Sequence, residues 1–297
     1  MSAPPASTPT PQRPTVAPGK PAAPAPGRVA RARAKAGWLV CAHSQQGAAR
    51  ALNQDRYHAD PPHFFGVADG VGGGALGEVA SELLLQQLAP LRPQDAPTVA
   101  RALAAADQLI NARIAPQGLG PGAAVVACLW GDPAAPQRWL GMTVGDCKLI
   151  HARQTQGVWH LLWQSTDQSY AATGLTAPPG VSAQAPANMV GCGLSLPAAL
   201  QPLQTRSGDR LILCSDGFFG ALQAAGVQHL LQDTPCPLPS DAAQRWCEAA
   251  RQRGSQDDIT VLIVESAAPG GVARWPWLAL ALALALCAGV AAWVWWP

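Results

Sequence analysis

Apolar residues fall along this chain in two regimes. Short apolar runs occur at Trp38–Ala42, Phe64–Ala68, Ala123–Trp130, Trp139–Val144, Lys148–Ala152, Val158–Trp163, Arg210–Cys214 and Ile259–Val264, and these predict strands. Elsewhere apolar positions recur at helical spacing: Leu76, Val79, Ala80, Leu83, Leu84 and Leu88; Val99, Leu103, Ala106, Ile110 and Ile114; Ala243, Trp246, Cys247 and Ala250. For the last helix, Ser240 is the expected N-cap and Gly254 the expected stop. Strands and helices interspersed in this way predict stacked sheets covered by helices. Tyr170 to Gln201 follows neither period and carries Pro178, Pro179, Gly180 and Pro186, so it reads as a long surface excursion of the kind that borders active sites.

The two ends of the chain differ from the body. Residues 1–36 are Pro/Ala-rich and carry Arg13, Lys20, Arg28, Arg31, Arg33 and Lys35 with no acid. They read as a disordered basic linker without the apolar core of a signal peptide. Trp275 to Trp296 is uncharged, apolar on all sides, and long enough to span a bilayer core of about 30 Å. Tryptophans flank both of its ends, and the last cation, Arg274, precedes it. The expected organisation is a linker at 1–36, a globular body at 37–265, a hinge at 266–273 and a transmembrane anchor at 274–297. Positive-inside logic keeps the body cytoplasmic.

The whole chain has a formal charge of +2, and the arm supplies +6, so the remainder is −4. An acidic body is a poor nucleic-acid binder, and no nucleic-acid partner is expected. The eight cysteines show no CxxC pair and sit mostly in apolar segments, as buried reduced thiols would. The six histidines form no HExxH, and no zinc-type Cys/His spacing occurs.

Candidate chemistry lies in aspartates at the ends of strand-like runs. Asp69 ends Phe64 to Ala68 and opens Asp69-Gly70-Val71-Gly72-Gly73; Asp146 follows Met142 to Gly145; Asp216 follows Leu211 to Ser215; Asp257 lies in Gly254 to Asp258, just before Ile259 to Val264. Carboxylates delivered by several strand ends can converge on hard divalent cations, which prefer oxygen ligands. That pattern predicts a metal-dependent hydrolase. Gly70 to Ala75 also fits the dinucleotide pattern GxGxxA. That reading needs a second strand bearing an acid, where the chain has Pro90-Leu91-Arg92-Pro93.

Taken in order, these segments resemble the metal-dependent protein phosphatases of the type 2C (PPM) serine/threonine class. The resemblance runs from about Gly47 to Val264. It rests on Arg50-Ala51-Leu52-Asn53-Gln54-Asp55, Phe64 to Gly73, Val144-Gly145-Asp146-Cys147, Ser165-Thr166-Asp167-Gln168-Ser169, Leu213 to Gly217, and Gly254 to Thr260. It implies an α+β fold, a four-layer α-β-β-α sandwich of two antiparallel sheets flanked by helices, here followed by the transmembrane helix. It implies two Mn²⁺ or Mg²⁺ ions, with a third at a weaker site. By carry-over Asp69 bridges the metals, the Gly70 carbonyl binds one, Asp216 and Asp257 bind the other, and Asp146 holds the third. Arg50 holds the phosphate and Asp55 acts through water or by orienting Arg50. The implied reaction is hydrolysis of phosphoserine and phosphothreonine proteins by attack of hydroxide held between the two metals, with no phosphoenzyme. An opposing serine/threonine kinase is the implied regulatory partner. The alternative is a catalytically silent, phosphoprotein-binding scaffold of the same fold.

The chain departs from the family pattern at four positions. Gln54 stands where many members have Glu, Val71 where some have His, Gly220 where many have Asp, and Asp258 where Asn is usual.

Overall fold

The computed structural model describes residues 38–71, 76–93, 95–117 and 122–266. Its strands are β1 (Trp38–Gln45), β2 (Arg56–Asp60), β3 (Phe64–Val71), β4 (Ala123–Asp132), β5 (Ala135–Val144), β6 (Lys148–Thr155), β7 (Val158–Gln164), β8 (Ala199–Gln204), β9 (Arg210–Cys214) and β10 (Ile259–Ser266). Its helices are α1 (Gly77–Leu88), α2 (Ala96–Ile114), the single turn α3 (Tyr170–Thr173), α4 (Asp216–Asp233) and α5 (Ala242–Gln252). The strands pair into two sheets, ordered β1-β10-β9-β6-β7 and β2-β3-β4-β5-β8, and every pairing is antiparallel.

Three apolar clusters correspond to the three interfaces of a four-layer sandwich. Side chains alternate faces along a strand, so β4 sends Val125, Ala127 and Leu129 between the sheets and Val126, Cys128 and Trp130 toward α1 and α2. On β10, Leu262 and Val264 face the other sheet, while Val261 and Ile263 face α4 and α5. Burial on both faces explains why the central strands read as continuous apolar runs. Trp38 and Trp139 meet edge-to-face at 4.8 Å between the sheets. The α-β-β-α architecture implied by the family resemblance is therefore present.

Several local expectations need correction. Strand β2 (Arg56–Asp60) is polar and half-exposed, and it lies at a sheet edge, where no apolar run is required. Strand β8 occupies the end of the supposed irregular excursion; its Pro202 is tolerated because β8 is also an edge. Helix α4 has no counterpart in the predicted elements. It contains Gly217, Gly220 and Gly226 and is broken at Gln223, whose φ of 55° interrupts the helical period. The N-cap of α5 is Asp241, one residue beyond Ser240, whereas Gly254 does end the segment with a φ of 96°. Ser266, assigned to the hinge, is the last residue of β10. Cys192 and Cys236 are exposed; the other described cysteines are buried, and all are free thiols. β3 has antiparallel neighbours on both sides, and residues 90–93 are not a strand, so the parallel β-α-β unit a dinucleotide site requires is absent among the described residues. The expected linker at 1–36, residues 72–75 of the Gly-rich motif and the expected anchor at 274–297 lie outside the described residues. Among those described, no helix is long and apolar enough to cross a membrane.

Candidate active site

Antiparallel register brings the chemistry-bearing loops to one end of the sandwich. In the first sheet Gln45 pairs with Ile259, and Cys214 pairs with both Val261 and Lys148. The segments beyond these residues carry Arg50, Asp257, Asp216 and Asp146. From the second sheet, Asp69 pairs with Val125 and Gly70 with Ala124. Asp69 thus lies two residues inside β3 rather than at its end, paired with β4 and one residue beyond the last β2 pairing at Ala68.

Each aspartate is positioned by a distinct local device. Gly145 has a φ of 87° and makes the turn before Asp146. Its N–H donates to Gln168 Oε1 at 2.9 Å, and Gln168 N–H donates back to the Gly145 carbonyl at 3.1 Å. Asn188, from the long excursion, donates to the same Gln168 oxygen at 3.0 Å, so that excursion does border the site. Asp216 is the first residue of α4. The Gly217 that follows is needed for close approach, since a Cβ there would collide with the Asp258 carbonyl. Gly70 is equally confined: a Cβ would strike the Gly77 backbone at the start of α1.

Asp55 is buried behind this rim in a chain of hydroxyls. Ser215 Oγ donates to Asp55 Oδ2 at 2.7 Å and accepts from Thr260 N–H at 3.0 Å. Ser44 Oγ and Thr260 Oγ1 are 2.7 Å apart, and Asn53 Nδ2 donates to Ser44 Oγ at 2.9 Å. Three sequence segments are tied together through this chain. Asp258 completes the tie. Its Oδ1 accepts from Gly47 N–H at 2.7 Å and its Oδ2 from Gln54 N–H at 2.8 Å. The carboxylate therefore clamps both ends of the loop that carries Arg50, and it is 3% exposed. An asparagine has one acceptor oxygen and makes only one of these bonds.

Arg50 and Asp257 form a forked pair: Nε to Oδ1 and Nη2 to Oδ2, both at 2.8 Å. Nearby, Lys148 Nζ reaches Asp167 Oδ2 at 2.9 Å and lies 5.5 Å from the Phe219 ring centroid.

In the rim, burial and mutual repulsion of the carboxylates outweigh the counter-charge of Arg50 and Lys148. Burial raises Asp69 well above the usual carboxylate range, and the charges of Asp55, Asp216 and Asp146 push it further; its side chain is hydrogen-bonded to that of Asp216. Asp146 is pushed up to about 8 by burial and by Asp216. Asp55 rises to about 7, chiefly through burial, although the Thr260 and Ser215 hydroxyls pull it down. Burial raises Asp216 as well. Such mutually raised carboxylates mark a site built for a cationic group. Two of their oxygens, Asp55 Oδ1 and Asp216 Oδ1, are buried without a hydrogen-bond partner. Among the described residues no three carboxylate, imidazole or thiol groups are drawn together round one ion-sized point. Asp257 instead faces Arg50. The all-oxygen donor set and the two orphaned oxygens fit hard divalent cations. Burial pushes the Cys147 and Cys214 thiols up, so neither thiol beside the cluster has thiolate character.

All seven residues singled out in the sequence thus come to the same end of the sandwich. The sequence did not disclose the supporting roles of Ser44, Asn53, Gln168, Asn188, Ser215 and Asp258. Asn53, Gln168, Ser215 and Asp258 lie inside the recognised motifs, which was their signal. Asn188 lies in the irregular excursion and had none.

No protein-family model matches the chain. In sequence it is similar to the serine/threonine protein phosphatase PstP of Mycobacterium tuberculosis, 28% identical over 239 residues, which make up 75% of this chain and 44% of that protein. The chain thus spans less than half the length of the curated relative it matches. In structure it resembles the crystal structure of M. tuberculosis PstP/Ppp with a TM-score of 0.63 at 25% identity, covering 78% of this chain and 99% of that one. It also resembles the PstP catalytic domain in complex with two manganese ions, with a TM-score of 0.61 at 24% identity over 78% and 99% of the two chains. The fold is that of the PPM-type serine/threonine phosphatases.

Proposed function

We propose that the chain is a PPM-type serine/threonine protein phosphatase that uses Mn²⁺ or Mg²⁺ to hydrolyse phosphoserine and phosphothreonine in proteins. The observation that carries this reading is the rim of Asp55, Asp69, Asp146 and Asp216, mutually raised in pKa, with buried oxygens that lack a partner. Similarity in sequence and fold to a manganese-containing phosphatase supports it.

Asp69, the Gly70 carbonyl, Asp216 and Asp257 would hold two divalent cations, and Asp146 a third. Bound there, such ions supply a nucleophilic water at neutral pH and offset charge on the transferring phosphoryl group. The chain itself orients the substrate. The Arg50 guanidinium presents two N–H groups in a fork now filled by the two oxygens of Asp257, and a phosphate offers the same paired geometry. Asp258 holds the Arg50 loop from both ends. Asp55, bonded to Ser215, steadies the residue immediately before Asp216. The ionised form of these raised carboxylates is the one that would hold cations, so binding would be coupled to proton release.

The apolar run Trp275 to Trp296 would tether this domain to a membrane, with the body on the cytoplasmic side. Tethering raises its effective concentration near membrane-bound phosphoproteins, among them an opposing kinase.

The test is phosphate release from a phosphothreonine peptide by the full chain, in Mn²⁺ and in EDTA, alongside Asp216→Asn. Turnover in Mn²⁺ that disappears in EDTA and in the variant is the expected result. Phosphopeptide binding without turnover in any metal would overturn it in favour of the silent scaffold.

A further inference from the structure

The end of the sandwich opposite the aspartates bears a group of exposed arginines. Eight residues of β10 separate Ile259, at the catalytic end, from Ser266, roughly 25 Å away at the usual strand rise. At this far end the structure has two adjoining depressions that share Gln204. One, of about 700 Å³, is lined by Arg92 and Arg138 and walled by Trp130, Trp139 and Leu140. The other, of about 420 Å³, is lined by Arg153, Arg206, Thr205 and Gln137. Arg92, Arg138 and Arg206 are exposed, and among the described residues none of the three is in an ion pair. Arg153 is held by Asp209, whose two oxygens take its Nε and Nη2 at 2.7 Å. Against these cations stand Asp60, Asp95 and Asp132; Asp132 Oδ1 is occupied by the Ala134 N–H at 2.8 Å, and Arg92 Nη1 donates to the Ala89 and Leu91 carbonyls.

Both chain extensions attach at this same end. Trp38, the first described residue, pairs with Ser266, the last. Ser266 is fastened directly beside the arginines: its carbonyl accepts from Gly208 N–H at 2.7 Å and its N–H donates to the Asp209 carbonyl at 3.0 Å. Residues 267–274 lead from there to the apolar run at Trp275, and a chain of that length reaches at most about 29 Å. The basic arm, with its six cations, joins the body through Gly37 at Trp38.

We infer that this arginine-bearing end is a membrane-facing surface that receives the phosphate headgroups of anionic phospholipids, so that the catalytic rim points away from the bilayer. The inference rests on the reading of Trp275 to Trp296 as a membrane segment. Three separate features point to the same orientation. The short tether restricts which face can approach the bilayer. Arginines beside tryptophan and leucine walls match a phosphate carried on an apolar shoulder. The opposite end carries the rim proposed to act on phosphoproteins, and a face pressed on the bilayer would be closed to them.

The test uses the full chain in vesicles of phosphatidylcholine alone and of phosphatidylcholine with phosphatidylglycerol, read by flotation and by amide hydrogen exchange. The expected result is flotation with both lipids, and exchange at 132–140 and 203–208 slowed severalfold only with phosphatidylglycerol. Arg138→Glu combined with Arg206→Glu should remove that protection while leaving flotation and turnover of a small aryl phosphate unchanged. Free glycerol phosphate should not reproduce the protection. Raising the salt should weaken it. A chain that fails to float overturns the membrane reading, and the surface proposal with it. Flotation without lipid-dependent protection, protection at the catalytic rim, or equal protection by glycerol phosphate overturns the surface proposal alone.

Discussion

Replacing Asp258 by asparagine tests how the Arg50 loop is held. The wild-type carboxylate takes two backbone hydrogen bonds, from Gly47 at 2.7 Å and Gln54 at 2.8 Å, and it is buried. The asparagine side chain would keep one acceptor and turn an NH₂ group toward the other N–H, donor against donor. Losing a charge-assisted bond costs about 1.5–3 kcal/mol, and leaving a buried N–H unpaired adds about 1–3 kcal/mol. Removing a negative charge beside Asp55, whose pKa Asp258 raises, returns part of this. A net loss of about 3 kcal/mol is expected, which for a domain of this size lowers Tm by about 6–12 °C. The assay is thermal unfolding in EDTA, so that metal affinity does not enter. Kinetics in Mn²⁺ give a second readout. A loosened Arg50 loop should raise KM for a phosphopeptide more than it lowers kcat, because Arg50 acts in holding the phosphate. A Tm within about 1 °C of wild type, which corresponds to under half a kcal/mol, would refute the clamp.

Further expectations concern the rim and the far end. Asp216→Asn should raise Tm in EDTA, because it removes a buried carboxylate repelled by its neighbours, yet abolish the Mn²⁺-dependent rise in Tm seen with wild type; a metal-dependent rise in the variant would argue against Asp216 as a ligand. Gly217→Ala should cost about 2–4 kcal/mol, because its Cβ meets the Asp258 carbonyl, whereas Gly220→Asp, which faces open space, should change Tm little; calorimetry of both separates a packing constraint from an open position. Burial works against ionisation of Asp209, but Arg153 and His151 hold it at about 2. A folded-state pKa below the unfolded value of 3.8 means stability that is present above about pH 4 and lost as pH falls through 2. The stability gap between wild type and Asp209→Asn, about 2 kcal/mol at neutral pH, should therefore close over that window in denaturant titrations.

Much of this molecule is determined by local pattern. Continuous apolar runs specified the central strands, because a strand buried between a sheet and a helix layer has no polar face to show. The aspartates were legible because each ends, follows or shortly precedes such a run, and the adjoining strand fixes its backbone. Edge elements escaped the pattern: β2 is half-exposed and β8 contains Pro202, so neither needed an apolar run. Helix α4 escaped because Gln223 breaks its period. Tertiary structure alone decided what lies between the motifs. Asp258 and Gly47 are 211 residues apart, and Ser215 and Asp55 are 160 apart, so their hydrogen bonds exist only once the sheets have paired. The same pairing placed the aspartates at one end of the sandwich and both chain exits, with the arginines, at the other. The direction of a strand in a sheet is set by its neighbours across long loops, and no local spacing encodes it.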